Sequence, residues 1–566
     1  MSDIYGVLSI GSKALRVQQR GIHVTGNNIA NVNTPGYSRQ RLNMASDVPL
    51  GSSVGPLGSG VQAIAVERVY QRFLGVQINN ETQSLGRWES HKDTLERVEM
   101  IFDESGGYGL NQVLSEFWNA WQDLTNNPSG QTERTILMAK SEMLAFTFNK
   151  NYEDLQTLQK DFDTTITGTV QDINQLAAEI VDLNQKIIQI ESGGRYAAND
   201  YRDQRDLALK ELAALIDINS FEAADGSVSV SVASGHVLVE GSHTHVLSTR
   251  QNAIGLLDIT WPDPDANLAT ITDDIAGGKL KGWLDARNLD IRNYMRRLDT
   301  LTQTLMQNVN TRHANGYGLD GSTANVFFTG AATASGVMDS LLTITAEEGG
   351  AGNLNIELIA GGTAGSETVT TDPVTGDIRI AIEDGVSTRA QIAAALQGHT
   401  AIATVVPNAP PNTTWTLGTA TDSVTLTGGS SAAGIQVNLD IANDMNLIAA
   451  AQGYDVVPGD KPGDNGNAIA IANLQNSLNM NGNTATFDAY YDSLISDVGL
   501  AVQQAGSYYD HQADMVLQLE NYRETLSGVS IDEEMINLVK FQNAYQAAAK
   551  LITTADDMMQ SVLNMI

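Results

Sequence analysis

The sequence predicts a multidomain α+β fold: paired terminal coiled-coil helices, an elongated α-helical bundle and inserted β-rich outer domains. Three observations predict it. Apolar residues recur at three- and four-residue steps at both ends of the chain, a longer unbroken seam of the same kind runs through the interior, and two segments abandon this spacing for short, Gly-rich alternating stretches.

At the N terminus, Ile4, Leu8, Gly11, Leu15, Gln18, Ile22, Thr25 and Ile29 form one stripe of a helix, and Val7, Ile10, Ala14, Val17, Gly21 and Val24 form a second beside it. An apolar face that wide predicts more than one neighbour. An Asn-rich stretch and the turn Thr34-Pro35-Gly36-Tyr37 end the helix. Pro sets φ at the first central position and Gly accepts positive φ at the second, as a type II turn requires. The Gly/Ser/Pro-rich stretch from Val48 to Gly60 reads as an extended loop, so residues 1–66 are assigned to the N-terminal half of the inner coiled-coil domain plus that loop.

Helical spacing returns from Arg68 to Phe102, with Trp88, His91, Leu95 and Val98 in phase, and again from Leu110 to Leu124, stopped by Asn126-Asn127-Pro128. Phe117, Trp118 and Trp121 read as core, and His91 as a packing histidine, because no second ligand stands one turn away. The seam from Tyr152 through Phe162, Ile173 and Ile180 to Ile190 ends at Ser192-Gly193-Gly194 and predicts a rod about 60 Å long. With helices over Tyr201–Leu215, Leu284–Arg312 and Ala485–Tyr522 as partners, the bundle takes residues 67–216, 276–316 and 461–525. Residues 217–275 form a small β-rich insertion on the alternation of Val228, Val230 and Val232, then Val237 and Val239. Residues 317–460 form a variable β-rich outer domain, with strands at Leu342–Ala346, Asn353–Ile359, Asp377–Ile382 and Ser423–Thr427 and one helix at Thr388–Leu396. The C-terminal half of the inner domain, residues 526–566, carries Leu538, Phe541, Tyr545, Ala548, Ile552, Ala555, Met559, Val562 and Ile566 along one seam.

Composition narrows the functions. A chain of 566 residues with 42% hydrophobic content makes several ordinary soluble domains. A formal net charge of −33 argues against nucleic acid and anionic membrane surfaces as partners. Without cysteine there is no disulfide, thiolate zinc site or cysteine nucleophile. No window of 18 apolar residues and no signal-peptide pattern occur, so neither membrane insertion nor a cleaved export signal is expected. His243-Thr244-His245 puts two imidazoles on one face of a strand, but without a third ligand at recognisable spacing it reads as a surface pair. The acidic turns Asp263-Pro264-Asp265, Asp273-Asp274 and Asp460 to Asn467 lack the closing bidentate Glu of a twelve-residue calcium loop. No nucleotide-binding, hydrolase or metalloprotease motif stands in a suitable setting, so the expectation is a protein with no catalytic residues, no cofactor and no metal.

The stretch Asn27-Asn28-Ile29-Ala30-Asn31-Val32-Asn33-Thr34-Pro35-Gly36-Tyr37-Ser38-Arg39-Gln40 resembles the N-terminal signature of the bacterial flagellar rod, hook and hook-associated proteins. Gly528-Val529-Ser530-Ile531-Asp532-Glu533-Glu534-Met535, Phe541 to Ala547 and Thr553 to Asp556 resemble the matching C-terminal signature. In the interior, Phe117 to Leu124, Asn127 to Gly130, Asp203-Gln204-Arg205-Asp206 and Asn310 to Tyr317 are similar to the hook-associated branch, which joins hook to filament. Residues 330 to 450 carry no such likeness. The resemblance implies a structural, non-enzymatic axial protein of the extracellular flagellum, exported unfolded without a cleaved signal. Its implied partners are further copies of itself, the hook protein, a second hook-associated junction protein, and an export chaperone covering the C-terminal helix. Leu8, Leu15, Ile22, Ile29, Leu538, Phe541, Tyr545, Ile552 and Met559 are the expected assembly interface. Asn31, Thr34, Pro35, Gly36, Tyr37, Arg39 and Gln40 make up the family's turn motif. The competing readings are another axial protein such as the hook subunit, and a secreted surface protein with an adhesive outer domain.

Overall fold

The computed structural model describes Ser2 to Asn564 except residues 53–54, 105–108, 195, 253–254, 263–267, 331–332, 339–341, 350–354, 372–377, 398–401, 408–413, 416, 418–422, 426–430 and 454–462. Helix α1, Ser2–Ala30, opens the chain. It leads into an antiparallel ribbon of β1, Gln40–Ser46, and β4, Val61–Arg68, with β2, Leu50–Ser52, and β3, Gly55–Leu57, paired beyond them. The stretch read as an extended loop is therefore the far end of a hairpin. Its Gly and Pro content marks the turn, while the residues on either side pair as strands.

The bundle is built from α2, Arg72–Ile101, α3, Leu110–Asn126, α4, Gln131–Glu191, and α5, Asn199–Leu215. Helix α4 has 61 residues and is about 90 Å long rather than about 60 Å. It begins just after Pro128-Ser129-Gly130, and its first turns bury Arg134, Leu137, Met138, Ser141, Leu144 and Phe148, an earlier stripe in phase with the later seam. Two cores lie along it. The first gathers Leu95 and Val98 of α2, Phe117, Trp118 and Trp121 of α3, and Leu137 to Phe162 of α4. The second packs Ile166 to Ile180 of α4 and Ala208 to Ala213 of α5 against the small β insertion.

That insertion holds a four-stranded sheet of β5, Ile218–Glu222, β6, Val228–Val232, β7, His236–Glu240, and β8, His243–Thr244. A three-stranded sheet of β9, Ser248–Gln251, β10, Leu257–Pro262, and β11, Leu268–Thr270, completes it. Helix α6, Gly278–Asp285, then runs through a π-helical turn at Ala286–Asp290 into α7, Ile291–Ala314. Arg287 in that turn is fully buried; it binds Asp163 of α4 and donates to the Leu257 carbonyl at 2.8 Å, tying the insertion to the rod.

The segment 317–460 divides in two. Strands β12, Phe328–Thr329, and β20, Gln436–Val437, pair antiparallel at its neck, and Phe327, Phe328, Ile435, Val437, Ile441 and Ile448 belong to the bundle core. Beyond the neck stand β13, Thr333–Met338, β14, Leu342–Gly349, and β18, Ile402–Pro407, as one sheet. A second sheet takes β15, Asn355–Ala360, β16, Thr368–Thr371, β17, Ile378–Ile382, and β19, Ser423–Thr425. Helix α8, Arg389–Gln397, closes a separate core around Ile356, Ile380, Leu396 and Trp415. The returning chain forms α9, Ser431–Gly434, α10, Leu439–Asn443, and α11, Gly466–Ala472, before α12, Phe487–Ser527, and α13, Ile531–Leu563.

Buried polar groups fasten the neck to the bundle. Arg134 donates to the carbonyls of Pro128, Met445 and Ile448, and burial lowers its guanidinium to about 10. His313 lies against the Asn325 carbonyl at 2.7 Å through Nδ1 and accepts the Ala449 N–H at Nε2 at 2.9 Å. Only the neutral imidazole serves both partners. Burial holds it there, at about 4.

Candidate assembly joint at the paired termini

Helices α1 and α13 pack antiparallel. Gly11 faces Ile552 and Gly21 faces the Phe541 ring so closely that a methyl group on either glycine would stand 2.7 or 2.8 Å from those side chains. The large residues of α13 thus sit over small positions on α1, and the most buried residues of α1 are Gly11, Val17, Gly21, Thr25 and Asn28. On α13 the buried positions are Glu534, Ala548 and Ala555. None of the nine residues expected at the assembly interface is fully buried in the single chain. Leu8, Leu15, Ile22, Ile29, Leu538, Phe541, Ile552 and Met559 are half-buried, and Tyr545 is 38% exposed. Gly11 and Gly21, which set the helix separation, were visible as glycines within the two stripes. Elsewhere on α13, Met535, Ile536, Val539, Leu551 and Met558 stand exposed, Ile536 at 68%.

At the other end of the pair the chain makes a polar latch. Asn31 donates its side-chain amide to the Asn27 carbonyl at 3.0 Å and receives the Thr34 hydroxyl at 3.0 Å. The Tyr37 N–H then donates to the Thr34 carbonyl across Pro35 and Gly36, with Gly36 at φ +77°, which is the type II geometry read from the sequence. This turn presses Gly36 against Leu207 of α5. Tyr37 donates its hydroxyl to Asn28 Oδ1 at 2.9 Å, and burial, with the charges of Asp200 and Asp203, pushes the phenol well above its ordinary range, so it remains a donor.

Asn28 is the centre of the latch. Its Oδ1 also accepts the Gln40 N–H at 2.9 Å, and its Nδ2 donates to the Gln40 carbonyl at 2.9 Å and to Glu534 Oε2 at 3.0 Å. Both amide hydrogens and both lone pairs are used. Arg39 approaches the same carboxylate, with Nε and Nη2 at 2.8 and 2.7 Å from Glu534 Oε1, while Nη1 reaches Glu533 at 2.7 Å. The Arg39 N–H donates to the Ser527 carbonyl where α12 ends.

The bundle side of the latch comes from α5. Asp203 Oδ2 accepts the Ser38 N–H at 2.9 Å, and Arg68 donates to Asp203 at 2.9 Å and Asp206 at 2.6 Å. Burial acts most strongly on the Asp203 carboxyl and raises it, opposed by Ser38 and Arg68. Gln40 donates to Asp200 at 2.6 Å, and Asn199 donates to the Val66 carbonyl at 2.8 Å. Three segments distant in sequence, residues 27–40, 199–206 and 527–534, therefore meet at one point. Glu534, Asp203 and Asp206 were missed as site residues. The one available signal was their place in acidic motifs, Asp203-Gln204-Arg205-Asp206 and Asp532-Glu533-Glu534, far from the turn they serve.

The other residues singled out in the sequence do not gather into a site. His91 Nε2 lies 2.7 Å from Asp290 and its ring lies beside Trp88. Strand β8 ends at Thr244, so His243 and His245 part: His243 is exposed beside Ser242, and His245 packs by Trp261. Asp263, Pro264, Asp265 and Asp460 lie outside the described residues, and Asp273 and Asp274 belong to a short 3₁₀ turn. Among the described residues no group of three or more His, Asp or Glu is arranged to hold a metal ion, and no helix is long and apolar enough to cross a membrane.

Comparison with known proteins agrees with both ends and the interior. Family models match residues 8–37 (flagella basal body rod protein), 95–328 (flagellar hook-associated protein FlgK helical domain) and 525–565 (flagellar basal body rod FlgEFG protein C-terminal). Flagellar hook-associated protein 1 of Bacillus subtilis is 27% identical over 599 residues, covering 100% of this chain and 99% of that protein. Its counterpart in Salmonella typhimurium is 26% identical over 579 residues, covering 97% and 98%. The solved structure of the flagellar hook junction protein FlgK from Burkholderia pseudomallei superposes with a TM-score of 0.64 at 17% identity, over 80% of this chain and 100% of that one, which is a likeness of fold.

Proposed function

Because the chain belongs to the family of flagellar hook-associated protein 1, we propose that its latched α1–α13 pair is the element by which it assembles. The protein is a structural axial component of the flagellum at the junction between hook and filament. The observation that carries the assembly reading is the half-finished burial of the termini. Register is fixed by the latch, yet the interface residues stay half-exposed, and Ile536, Val539, Leu551 and Met558 of α13 stand 39–68% exposed. Large exposed apolar area of that kind marks a surface used by another molecule.

Leu8, Leu15, Ile22 and Ile29 of α1, with Leu538, Phe541, Tyr545, Ile552 and Met559 of α13, then complete their burial against neighbouring copies. Asn31, Thr34, Pro35, Gly36, Tyr37, Arg39 and Gln40 hold the angle between the inner pair and the bundle. Residues 1–66 and 526–566 act as the inner domain, 67–216, 276–316 and 461–525 as the bundle, and 217–275 and 317–460 as its outward insertions. The hook protein lies on one side of the resulting zone and a second hook-associated protein on the other. The subunit leaves the cell without a cleaved signal, and a chaperone covers α13 beforehand, since its exposed Ile536, Val539, Leu551 and Met558 would otherwise drive aggregation. The role is mechanical, not catalytic.

Deletion of residues 539–566 tests this. The truncated chain is expected to remain a soluble, helical monomer and to be absent from hook ends in cells lacking the full-length protein. Its incorporation there would overturn the assembly role of α13.

A further inference from the structure

The chain has no cysteine, so its 15 methionines hold all of its sulfur. The fold divides them sharply. Met138, Met295, Met306, Met338 and Met480 are packed in the cores, Met295 and Met306 at 1% and 2% exposure. Among the described residues Met44, Met100, Met143, Met535 and Met558 stand open to solvent. Two of these, Met535 and Met558, belong to α13 and lie in its unburied apolar surface. Met535, 47% exposed, precedes Val539 by four residues, and Met558, 44% exposed, follows Leu551 by seven, so each shares one side of the helix with an exposed aliphatic neighbour. Methionine suits such a surface, because its unbranched, polarisable side chain fits against neighbours of varied shape. It is also an apolar side chain that a mild two-electron oxidant turns polar.

We propose that Met535 and Met558 are oxidation sites, and that a peroxide acting on the free subunit turns their thioethers into sulfoxides and blocks assembly. This rests on the assembly reading and adds a means by which that surface is switched off. The sulfur lone pair attacks one oxygen of hydrogen peroxide; an S–O bond forms as the O–O bond breaks, the departing hydroxide takes the proton of the transferred oxygen, and water leaves. Sulfur gives up two electrons and the peroxide accepts them, so no other reactant is needed. The product carries a strong hydrogen-bond acceptor where an apolar group stood. In the free chain water satisfies that oxygen, so the single subunit keeps its fold. A neighbouring copy packed over it offers apolar atoms instead and strands it. Met295 and Met306 stay beyond the oxidant's reach for as long as the bundle is folded. A subunit is thus open to the reaction only until its neighbours cover α13, and a methionine sulfoxide reductase restores it.

Two measurements test this. Purified full-length chain and isolated hook-filament junctions are given the same brief pulse of hydrogen peroxide, and each methionine is read by peptide mass mapping. Met535 and Met558 are expected to oxidise about tenfold or more faster than Met295 and Met306 in the free chain, and to slow by about tenfold in the junctions, where neighbours cover them. The second measurement uses cells whose own copy is deleted, with exported chain read by immunoblot of the medium and filament-bearing flagella counted by electron microscopy. M535Q/M558Q, in which an amide stands in for the sulfoxide, is expected to be exported normally yet to lower filament-bearing flagella by about tenfold or more, while M535L/M558L and M44Q/M100Q/M143Q leave the number unchanged. Equal oxidation of buried and exposed methionines in the free chain, undiminished reaction of Met535 and Met558 in the junctions, wild-type filament numbers with M535Q/M558Q, or an equal loss with M535L/M558L or with M44Q/M100Q/M143Q would each overturn the proposal. Deletion of residues 539–566 in the same cells separates it from the reading beneath it. A truncated chain that stays out of hook ends keeps the assembly role of α13 standing when the methionine proposal fails, and one that enters them sinks both.

Discussion

Removing the Arg39 side chain isolates a buried carboxylate at the joint. Glu534 is 3% exposed in its side chain; Arg39 contacts its Oε1 at 2.7 and 2.8 Å, and Asn28 its Oε2 at 3.0 Å. Truncating one partner of a buried ion pair costs about 3–5 kcal/mol, and because 26% of the Arg39 side chain is exposed, water recovers part of this, leaving about 2–3 kcal/mol for Arg39→Ala. The Glu533 side chain is 61% exposed, so its pairing with the same guanidinium is worth about 1 kcal/mol at most. With Glu534→Gln in place there is no buried charge to strand, and Arg39→Ala should then cost only about 1 kcal/mol. The coupling in this cycle is therefore about 1–2 kcal/mol. Native-state hydrogen exchange of the α13 amides between Leu538 and Ala555, in the full-length chain, reads the free energy of opening the pair. Equal cost of Arg39→Ala in both backgrounds would refute the view that Glu534 ties the two termini together, as would Glu533→Gln matching Glu534→Gln.

Gly21→Val drives a side chain into the Phe541 ring, 2.8 Å from where Cβ would lie, and should destabilise the α1–α13 pair by about 1–3 kcal/mol in the same exchange experiment, with Phe541→Leu in the same chain recovering most of it. His313 is held at about 4, below its ordinary 6.5, so as pH falls the unfolded chain takes up this proton first. The bundle should keep the full contribution above pH 7 and lose up to about 3 kcal/mol between roughly pH 6.5 and 4; urea unfolding at pH 7 and 4.5 should show a shallower loss in His313→Gln, and identical losses would remove His313 as the cause. Replacing residues 333–429 by a short Gly-Ser link, which keeps α9 and its Ala432 in the bundle core, should leave the bundle's cooperative melting intact by circular dichroism. The neck strands already bring Gly330 and Gly434 so close that a Cβ on Gly330 would lie 1.7 Å from the Gly434 oxygen, and the domain beyond them has its own core. Loss of cooperative unfolding would show that the two cores are not separate.

What was legible in the sequence was whatever repeats locally. The 3.6-residue spacing of Leu155, Phe162, Ile173 and Ile180 marked α4, and Pro35-Gly36 marked a type II turn, because each of these is decided within a few residues. The first turns of α4 escaped because Arg134 and Ser141 occupy inward positions, and an inward arginine breaks an apolar stripe unless one knows that the carbonyls of Pro128, Met445 and Ile448 await it. The ribbon of β1 and β4 was hidden by the Gly and Pro of its turn. The latch was beyond reach for a different reason. Asn28 and Glu534 are 506 residues apart and Ser38 and Asp203 are 165 apart, and no spacing rule links polar groups across such distances. Only their presence within motifs shared with a family pointed to them, and that likeness said nothing of their contacting one another.

Apolar stripes are poor at setting register, since an antiparallel pair of helices shifted by one turn still buries leucines and isoleucines against each other. Two kinds of contact in this joint forbid the shift. Phe541 and Ile552 are seated over Gly21 and Gly11, so moving either by a turn sets a large residue against another large one, with Val17 and Ile22 close at hand. The same shift would strip Glu534 of Arg39 and Asn28 and leave its carboxylate buried without partners, as a polar residue in a coiled-coil seam does when out of register. Specificity within the chain thus resides in two glycines and one carboxylate, while the half-buried aliphatic residues remain available to neighbours. That division gives the termini one register in which to pair within the chain and leaves the remaining apolar area of α1 and α13 for the neighbouring copies proposed above.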